Sequence, residues 1–436
     1  MQKKQESTGL IWFTNNLRVS DNITIELACK KHDRVIAIYL FDKSNFEDSI
    51  FGFKKVGIFR AQFLIDSVQQ LKENLAQKNI SLLTYAGTPE QILPEICKEY
   101  QVAEIFAQKE WTSEEVCTYQ KVEQAIADDC KISYSHDQFL YHPEDIEIKF
   151  EQIPSVFSNF RRKVEKYIPI RKESSFEKKN KENLIGTTTT IPDLESLGYP
   201  SINKDDRTSF PFKGGENEAL KRIDYYFFES QKISSYKETR NGLIGTDYSS
   251  KLSPWLANGS ISAKTIYWKI KEYELEYGEN ESTYWLIFEL IWRDYFKYIS
   301  IQHGNRIFKI DGILQKKYEW STNELQVQNW IHGRTNEPFV NANMMELKET
   351  GFMSNRGRQN VASYFSKELL LDWRIGAAYF ESMLIDYDVH SNYGNWLYIS
   401  GVGNDPRDRK FNIKVQAERY DSKQQYQNLW LKKTPF

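Results

Sequence analysis

The first third of the chain alternates short apolar runs with longer amphipathic stretches, and this alternation limits the possible folds more than any other feature. Several of the runs are nearly all apolar, as in strands covered on both faces. They occupy residues 10–13, 35–40, 80–85, 103–107 and 131–134. Between them, residues 59–79 and 112–128 have the pattern of amphipathic helices. Strands that alternate with helices predict an α/β domain with a doubly wound, parallel, five-stranded sheet.

The character of the sequence changes twice after this region. Residues 141–215 hold a charged run and scattered Pro and Gly, which predicts a long wrapping connector with little secondary structure. From residue 216 the pattern is helical and no strand signal competes with it. We therefore expect an α/β domain at 1–140, the connector at 141–215, and an all-α domain at 216–436. The helices expected in that domain are 216–234, 262–276, 281–302, 323–331, 339–350, 357–370 and 373–386.

Charge and composition exclude several classes of protein. The chain has 58 Lys and Arg against 60 Asp and Glu, so bulk positive charge does not hold nucleic acid, although a local basic groove can. No apolar run reaches the ~18 residues of a membrane span, and residues 1–6 lack the apolar stretch of a secretory signal. The four Cys are scattered without metal-ligand spacing. We expect a cytoplasmic protein with reduced thiols, no metal site and no membrane association.

Aromatic residues are unusually frequent and are concentrated in the helical part. They make up 14% of the chain, and nine of the 11 Trp follow residue 250. This distribution favours a large helical core faced with aromatic side chains. The alternative is a cavity for a planar cofactor or for nucleobases, in which Trp can also carry electrons. Composition alone leaves both interpretations open.

Two polar segments of the helical part suit the binding of anions and bases. Residues 248–262 are rich in Ser and contain Lys251, so they form either a helix cap or an anion site. Residues 351–360 combine two Arg with three amide side chains, which suits phosphates and base edges. Asp386 and Asp388 form a short acidic pair. An ion pair with a nearby Arg is a better prediction for them than a metal site.

Two further patterns indicate a cavity and a basic rim. Glu289, Trp292 and Arg293 recur at helical spacing, so one face carries an acid, an indole and a cation. Such a face is typical of a polar and aromatic cavity rather than of a solvated surface. Residues 407–433 contain eight basic and three acidic side chains, a net charge of +5. A local rim that binds phosphates is therefore compatible with the overall charge.

Together these segments resemble the photolyase/cryptochrome flavoproteins, and specifically their DASH branch, over almost the whole chain. Matching motifs occur in the family's order at Trp12-Phe13, Leu17-Arg18, Asp21-Asn22, residues 59–64, 140–143, 236–242, 392–396 and 401–407. Several long matches in the correct order are far more specific than a single motif. The chain departs from the family pattern at Thr14, Asn16 and Asn341.

The resemblance implies an N-terminal antenna domain and a C-terminal helical domain that holds a folded FAD. In the family's pattern, the residues that hold the flavin pyrophosphate and ribityl chain are Tyr236, Ser249, Ser250, Lys251, Leu252 and Ser253. Arg358 and Asp386 would form an ion pair beside the isoalloxazine ring. Asp388 would meet its polar edge, and Asn392 would lie near flavin N5.

The resemblance also implies roles in electron transfer, substrate binding and light harvesting. The Trp chain that passes electrons to the flavin would be Trp396, Trp373 and Trp320. The residues that would line the cavity for a flipped-out pyrimidine dimer are Glu289, Trp292, Asn355, Gln359 and Tyr398. The local cations for DNA would be Arg240 and Arg356. The hydrogen-bond partner of a 5,10-methenyltetrahydrofolate antenna would be Glu110.

The activity implied is light-dependent repair of cyclobutane pyrimidine dimers by a monomeric FAD enzyme. Single-stranded or looped DNA would be preferred, because a dimer there is cheaper to flip out. The alternative is a cryptochrome photoreceptor that signals through flavin reduction without repair. The chain ends six residues after Trp430, without the long extension of signalling cryptochromes, which favours repair. Repair of (6-4) photoproducts is disfavoured, because such enzymes place His in the stretch matching 355–359, and this chain has none there.

Overall fold

The computed structural model describes residues 7–128 and 130–432. Its N-terminal part contains one sheet of five strands, β1 to β5. They span Thr8–Phe13, Arg34–Phe41, Leu82–Ala86, Val102–Gln108 and Lys131–Ser135. All pairs are parallel, and the strand order is β3-β2-β1-β4-β5. This topology confirms the predicted doubly wound sheet, whose order reverses between β1 and β4.

Helices cover both faces of this sheet. Helices α1 to α4 span Ile23–Lys31, Ile58–Gln77, Pro89–Glu99 and Ser113–Ala125. The side chains of β1 alternate between two cores, with Ile11 and Phe13 on one face and Leu10 and Trp12 on the other. Helices α2 and α4 match the predicted ones. The sequence pattern did not single out α1 or α3, and Pro94 lies inside α3.

The connector is less irregular than expected, because it contains one helix, α5, at Phe157–Tyr167. The apolar residues of α5, Phe157, Phe160 and Val164, are buried in the helical core. Farther along, the Asn183 side chain exchanges hydrogen bonds of 2.8 Å with the backbone N–H and C=O of Val35 on β2. The connector therefore contacts both the helical core and the edge of the sheet domain.

The C-terminal part consists of helices and the loops that join them, with no β-strand among its described residues. Helices α6 to α17 span Glu216–Ile223, Tyr236–Thr239, Ser253–Ala257, Ala263–Tyr277, Glu281–His303, Glu324–Ile331, Pro338–Thr350, Asn355–Ser363, Trp373–Met383, Val389–Ser400, Ile413–Tyr420 and Gln425–Leu431. One π-helical turn continues α6, and another continues α13. Within the ranges described, no helix combines the length and the apolar character needed to cross a membrane. Lys433, the last residue of the basic stretch, lies outside the described residues.

The loop after β1 joins the two domains through buried ionic contacts. The Arg18 guanidinium, on a residue only 2% exposed, donates to the carbonyl of Asp21 at 2.7 Å and to that of Gly259 at 3.1 Å. It also forms an ion pair of 2.9 Å with Asp137. The Asp21 carboxylate accepts from Lys264 on α9 at 2.7 Å. These contacts fix the sheet domain against the start of the helical domain.

Two of the three departures from the family's motifs, Asn16 and Asn341, are accommodated by local hydrogen bonds of their side chains. The Asn16 side-chain oxygen accepts from the backbone N–H of Thr14 at 3.1 Å. The Asn341 side-chain oxygen accepts from the backbone N–H of Thr335 at 2.9 Å, and its amide donates to the Thr335 carbonyl at 2.8 Å. An amide can thus serve at these positions without an unpaired buried charge.

Candidate functional site

A cavity of about 530 Å³ lies in the helical domain, between the loop before α8 and helices α10, α13 and α15. Its wall contains all but one of the residues predicted to hold the flavin, the substrate or DNA. Those residues are Tyr236, Arg240, Ser249, Ser250, Lys251, Leu252, Ser253, Glu289, Trp292, Asn355, Arg356, Arg358, Gln359, Asp386, Asp388 and Tyr398. Segments more than 150 residues apart in sequence therefore meet in one site.

Lys251 is the most unusual residue of the cavity wall. It has a left-handed backbone, with φ of 63°, and is only 3% exposed. Its Nζ lies 3.3 Å from the centroid of the Tyr248 ring and has no hydrogen-bond partner among the described residues. Burial lowers the pKa of this ammonium well below its usual value, although the Glu346 carboxylate opposes the shift. An unpaired buried ammonium is costly unless a ligand supplies the partner.

The loop that carries Lys251 is held by a residue that the sequence reasoning missed. Arg222 on α6 donates to the backbone carbonyls of Ser250 at 3.0 Å and Ser249 at 3.1 Å. It also pairs with Asp247 at 2.9 Å. These bonds use backbone oxygens and do not engage the Ser hydroxyls of the loop. No motif marks Arg222, since its role depends on a loop 25 residues later.

The predicted ion pair between Arg358 and Asp386 is present. Arg358 Nη2 lies 2.9 Å from the Asp386 carboxylate, and Arg358 Nε donates to the carbonyl of Met353 at 2.9 Å. Both side chains face the cavity. The guanidinium is therefore fixed by two acceptors while its outer edge is available to a ligand.

Asp388 pairs with a cation that the sequence reasoning also missed, Lys297. Asp388 caps α15 by accepting from the backbone N–H of Ser391 at 2.8 Å, and it pairs with the Lys297 ammonium at 3.0 Å. Burial alone would raise the pKa of Asp388, but Lys297, His390 and Arg293 together bring it well below its usual range. Its spacing from Arg293, one helical turn along α10, was the signal that could have identified Lys297.

Asn392 is the one predicted cofactor residue that is not on the cavity wall. Its side-chain amide donates to the carbonyl of Ala377 at 3.0 Å and so joins α15 to α14. Ser391 and Asn395 of the same helix line the cavity instead. The place of Asn392 near flavin N5 therefore stays a prediction, with one N–H of its amide used between the helices.

The predicted substrate residues share the cavity with the two predicted DNA-binding arginines. Glu289 forms an ion pair with Arg240, and burial raises the pKa of the Glu289 carboxyl against the opposing charge of Arg240. Arg356 donates to the Gln359 side-chain oxygen at 2.9 Å. Asn355, the first residue of α13, is exposed at the mouth.

An aromatic surface completes this side of the cavity. The Trp292 ring stacks on Phe157 of α5, with centroids 3.7 Å apart and planes 10° from parallel. The Tyr398 hydroxyl accepts from Arg409 at 2.7 Å. Two rigid rings held in this way can contact the face of a planar base.

The three predicted electron-transfer residues lie in the same domain at different depths. Trp396 is 1% exposed and Trp373 is fully buried, whereas Trp320 reaches the surface in part. The Trp373 indole donates to the carbonyl of Ile310 at 3.0 Å. Within the described part of the chain, none of the three indoles contacts another directly.

Glu110, the predicted antenna residue, lies just beyond β4 where the domains meet. It is 6% exposed and accepts from the Gln108 amide at 2.6 Å. Burial raises the pKa of Glu110 to about 7, although the Lys297 ammonium opposes the shift. The following residue, Trp111, stacks on His390 with centroids 4.6 Å apart. The structure thus brings an acid and a stacked indole together at the interface.

Comparisons with known proteins agree with this architecture. A family profile described as the FAD binding domain of DNA photolyase matches residues 285–434. A second profile, described as DNA photolyase, matches residues 9–178. The two profiles thus cover most of the helical domain and nearly all of the sheet domain.

Individual relatives match almost the whole chain. Cryptochrome DASH of Gloeobacter violaceus is 43% identical over 97% of this chain and 85% of its own length. Cryptochrome DASH of Danio rerio is 43% identical over 97% and 83%. The crystal structure of a Synechocystis cryptochrome matches with a TM-score of 0.91 and 41% identity, covering 99% of this chain and 89% of that one. The chain therefore belongs to the DASH cryptochromes of the photolyase/cryptochrome family, and is a light-dependent flavoprotein with an FAD-binding helical domain.

Proposed function

We propose that the protein repairs cyclobutane pyrimidine dimers in light, using an electron from reduced FAD, and prefers single-stranded or looped DNA. The observation that carries the proposal is the composition of one cavity. Its wall joins the ionic groups of Lys251 and Arg358 to the acid Glu289 and the indole of Trp292. A cofactor and a base bound there would be neighbours, as direct electron transfer requires. We also expect a cytoplasmic monomer.

The residues present fit the FAD that the family implies. The unpaired Lys251 ammonium and the hydroxyls of Ser249 and Ser253 would bind the pyrophosphate and ribityl chain. Arg358 and Asp386 would lie beside the ring system, with Asp388 at its polar edge. When bound, reduced FAD supplies the electron after it absorbs light, and the protein supplies binding and orientation.

The remaining wall suits the two flipped-out bases of a pyrimidine dimer. Glu289 would accept or donate a hydrogen bond at a base edge, helped by a raised pKa that keeps its proton within reach. Trp292 and Tyr398 would stack on the bases, and Asn355 and Gln359 would bind their polar edges. Together these groups would exclude water from the lesion and hold it against the cofactor.

The preference for single strands follows from the small number of cations expected to contact DNA phosphates. The net charge is −2, and DNA would rest on a few local charges, namely Arg240, Arg356 and some of the basic residues of 407–433. Removing a dimer from intact duplex costs a few kcal/mol of pairing and stacking. Few phosphate contacts are available to offset that cost, so it should decide the preference.

Two accessory functions are part of the proposal. Trp396, Trp373 and Trp320 would pass electrons from the surface inward and keep the cofactor reduced. A 5,10-methenyltetrahydrofolate beside Glu110 would act as the antenna. The stack of Trp111 at the same interface means that a folate would have to share or displace this indole.

The direct test is a repair assay with the purified, reduced protein. Oligonucleotides that contain one thymine dimer, as single strand, bubble and duplex, are illuminated with blue or near-UV light, and dimer loss is counted per photon. We expect repair in the order single strand, bubble, duplex, and none in the dark. Equal repair of single strand and duplex would contradict the preference. Efficient flavin photoreduction without any repair would favour the photoreceptor alternative.

A further inference from the structure

Two arginines line the cavity, and a third lies over the same aromatic ring as one of them. They are Arg240 at the end of α7, Arg356 in the first turn of α13, and Arg419 near the end of α16. The guanidinium groups of Arg356 and Arg419 lie 4.7 and 5.4 Å from the centroid of the same ring, Tyr420. Burial lowers the pKa of Arg356, and the charges of Arg240 and Arg419 lower it further. A cluster of positive charges favours the binding of an anion beside it.

Two of these cations are engaged by groups proposed to read the bases. Arg240 pairs with Glu289, and the two side chains are 22% and 27% exposed. Arg356 donates to Gln359 at 2.9 Å and to Asn241 at 3.0 Å. Arg419 is exposed and forms no ion pair with any described residue. The oxygens that would bind a base are therefore occupied by arginines while the site is free of DNA.

We propose that a phosphodiester of the DNA backbone binds between Arg240, Arg356 and Arg419, and that this binding releases Glu289 and Gln359 to contact the lesion. The inference rests on the proposed function and adds an order of events to it. The phosphate is held first, and the groups that recognise the dimer become available as a consequence.

This coupling makes undamaged and damaged DNA differ in a specific way. Undamaged DNA must separate Arg240 from Glu289 and offers the Glu289 carboxyl nothing in return. A flipped-out dimer does offer it a partner, so phosphate binding and lesion binding strengthen each other. Neutralising Glu289 should therefore tighten the binding of undamaged DNA and reduce the preference for the dimer.

The test uses the FAD-loaded protein in the dark, with fluorescence anisotropy of a labelled single strand across a salt series. The strand is used with and without one thymine dimer. Glu289→Gln should tighten undamaged binding about fivefold, the scale of a partly exposed ion pair. It should also steepen the salt dependence by about 0.7, because one more cation meets a phosphate. The dimer-to-undamaged affinity ratio should fall.

Glu281→Gln is the matched control, since Glu281 is 80% exposed and pairs with Lys237 at 2.7 Å on the same surface. It removes the same charge without touching Arg240 and should change affinity less than twofold. In an Arg240→Gln background, Glu289→Gln should no longer tighten binding. Arg419→Gln should weaken both strands equally, about threefold. The flavin absorbance of each variant shows that the fold is retained.

Two results would overturn the coupling. One is equal tightening by Glu281→Gln and Glu289→Gln, which would reflect general charge only. The other is tightening by Glu289→Gln that persists without Arg240. If the wild-type protein binds neither strand, the proposed function fails and the coupling with it. If it prefers the dimer strand but shows either of the two results, only the coupling fails.

Discussion

Arg18 and Lys251 are equally buried cations, 2% and 3% exposed, but they differ in their partners. At the domain junction, Arg18 donates to the carbonyls of Asp21 and Gly259 and pairs with Asp137. In the cavity, the Lys251 ammonium has no hydrogen bond. Buried polar groups without partners are rare in proteins and require an explanation. The Arg18 guanidinium is thus partnered by the folded chain itself, whereas the Lys251 ammonium would gain its partner from a ligand.

Substitution at the junction should have the largest effect. Arg18→Met leaves the Asp137 carboxylate buried without its partner, which we expect to cost about 3–5 kcal/mol of unfolding free energy. Because the junction does not involve the cofactor, the loss should be equal for the protein with and without FAD. Urea unfolding of both forms measures it. A loss seen only in the FAD-loaded protein would contradict the distinction between the two regions.

Substitution in the cavity should show the opposite pattern. Lys251→Met removes an unpaired ammonium, so the FAD-free protein should be as stable as wild type or about 1 kcal/mol more stable. The affinity for FAD should fall about 10- to 100-fold, the range of a lost charged hydrogen bond. Fluorescence titration of the FAD-free protein measures this. Unchanged affinity would mean that Lys251 does not contact the cofactor.

The comparison extends to electron transfer through Trp396. Its indole N–H also has no hydrogen-bond partner among the described residues, and the residue is only 1% exposed. Trp396→Phe keeps the ring packing and removes the easily oxidised indole. Photoreduction of oxidised FAD should slow at least tenfold, while chemically reduced protein still repairs. Trp255→Phe is the control, since Trp255 is fully buried elsewhere in the domain and donates to Lys213. Equal slowing in both variants would contradict a specific route.

The smallest effect is expected at the antenna residue. Trp111 is already engaged at the domain interface, because it donates to Ser300 at 2.8 Å and stacks on His390. A folate beside Glu110 must therefore compete with contacts that already exist. Trp111→Val should raise folate occupancy a few-fold, seen as a near-UV band after reconstitution. Lower occupancy in the variant would show that the indole helps to hold the pigment.

The sheet and most helices could be predicted because their signals are local. Runs such as 35–40 became β2 with ends shifted by one residue, and the helix expected at 281–302 became Glu281–His303. Helix α5 was missed although its apolar residues Phe157, Phe160 and Val164 recur at helical spacing. The charged and Pro-containing composition of the whole connector outweighed this short signal.

The candidate site could be predicted only where a motif marks it. Lys251 and Arg358 stand in recognisable segments and line the cavity as expected. Arg222 and Lys297 do not stand in a recognisable segment, since each acts on a partner far away in sequence. Asn392 shows the reverse case, because its motif is present while its amide is used by α14. Side-chain direction depends on neighbours that a sequence does not show.

Removal of FAD from the purified protein tests most directly whether the cavity requires the cofactor. The flavin content is measured first, and hydrogen exchange is then followed by mass spectrometry with and without FAD. We expect about one FAD per chain. Without it, residues 249–253 and α13 should exchange faster, while β1 and the loop around Arg18 keep their protection. A protein that is folded but holds no flavin as first purified, or equal exchange in both forms, would contradict the assignment of the cavity.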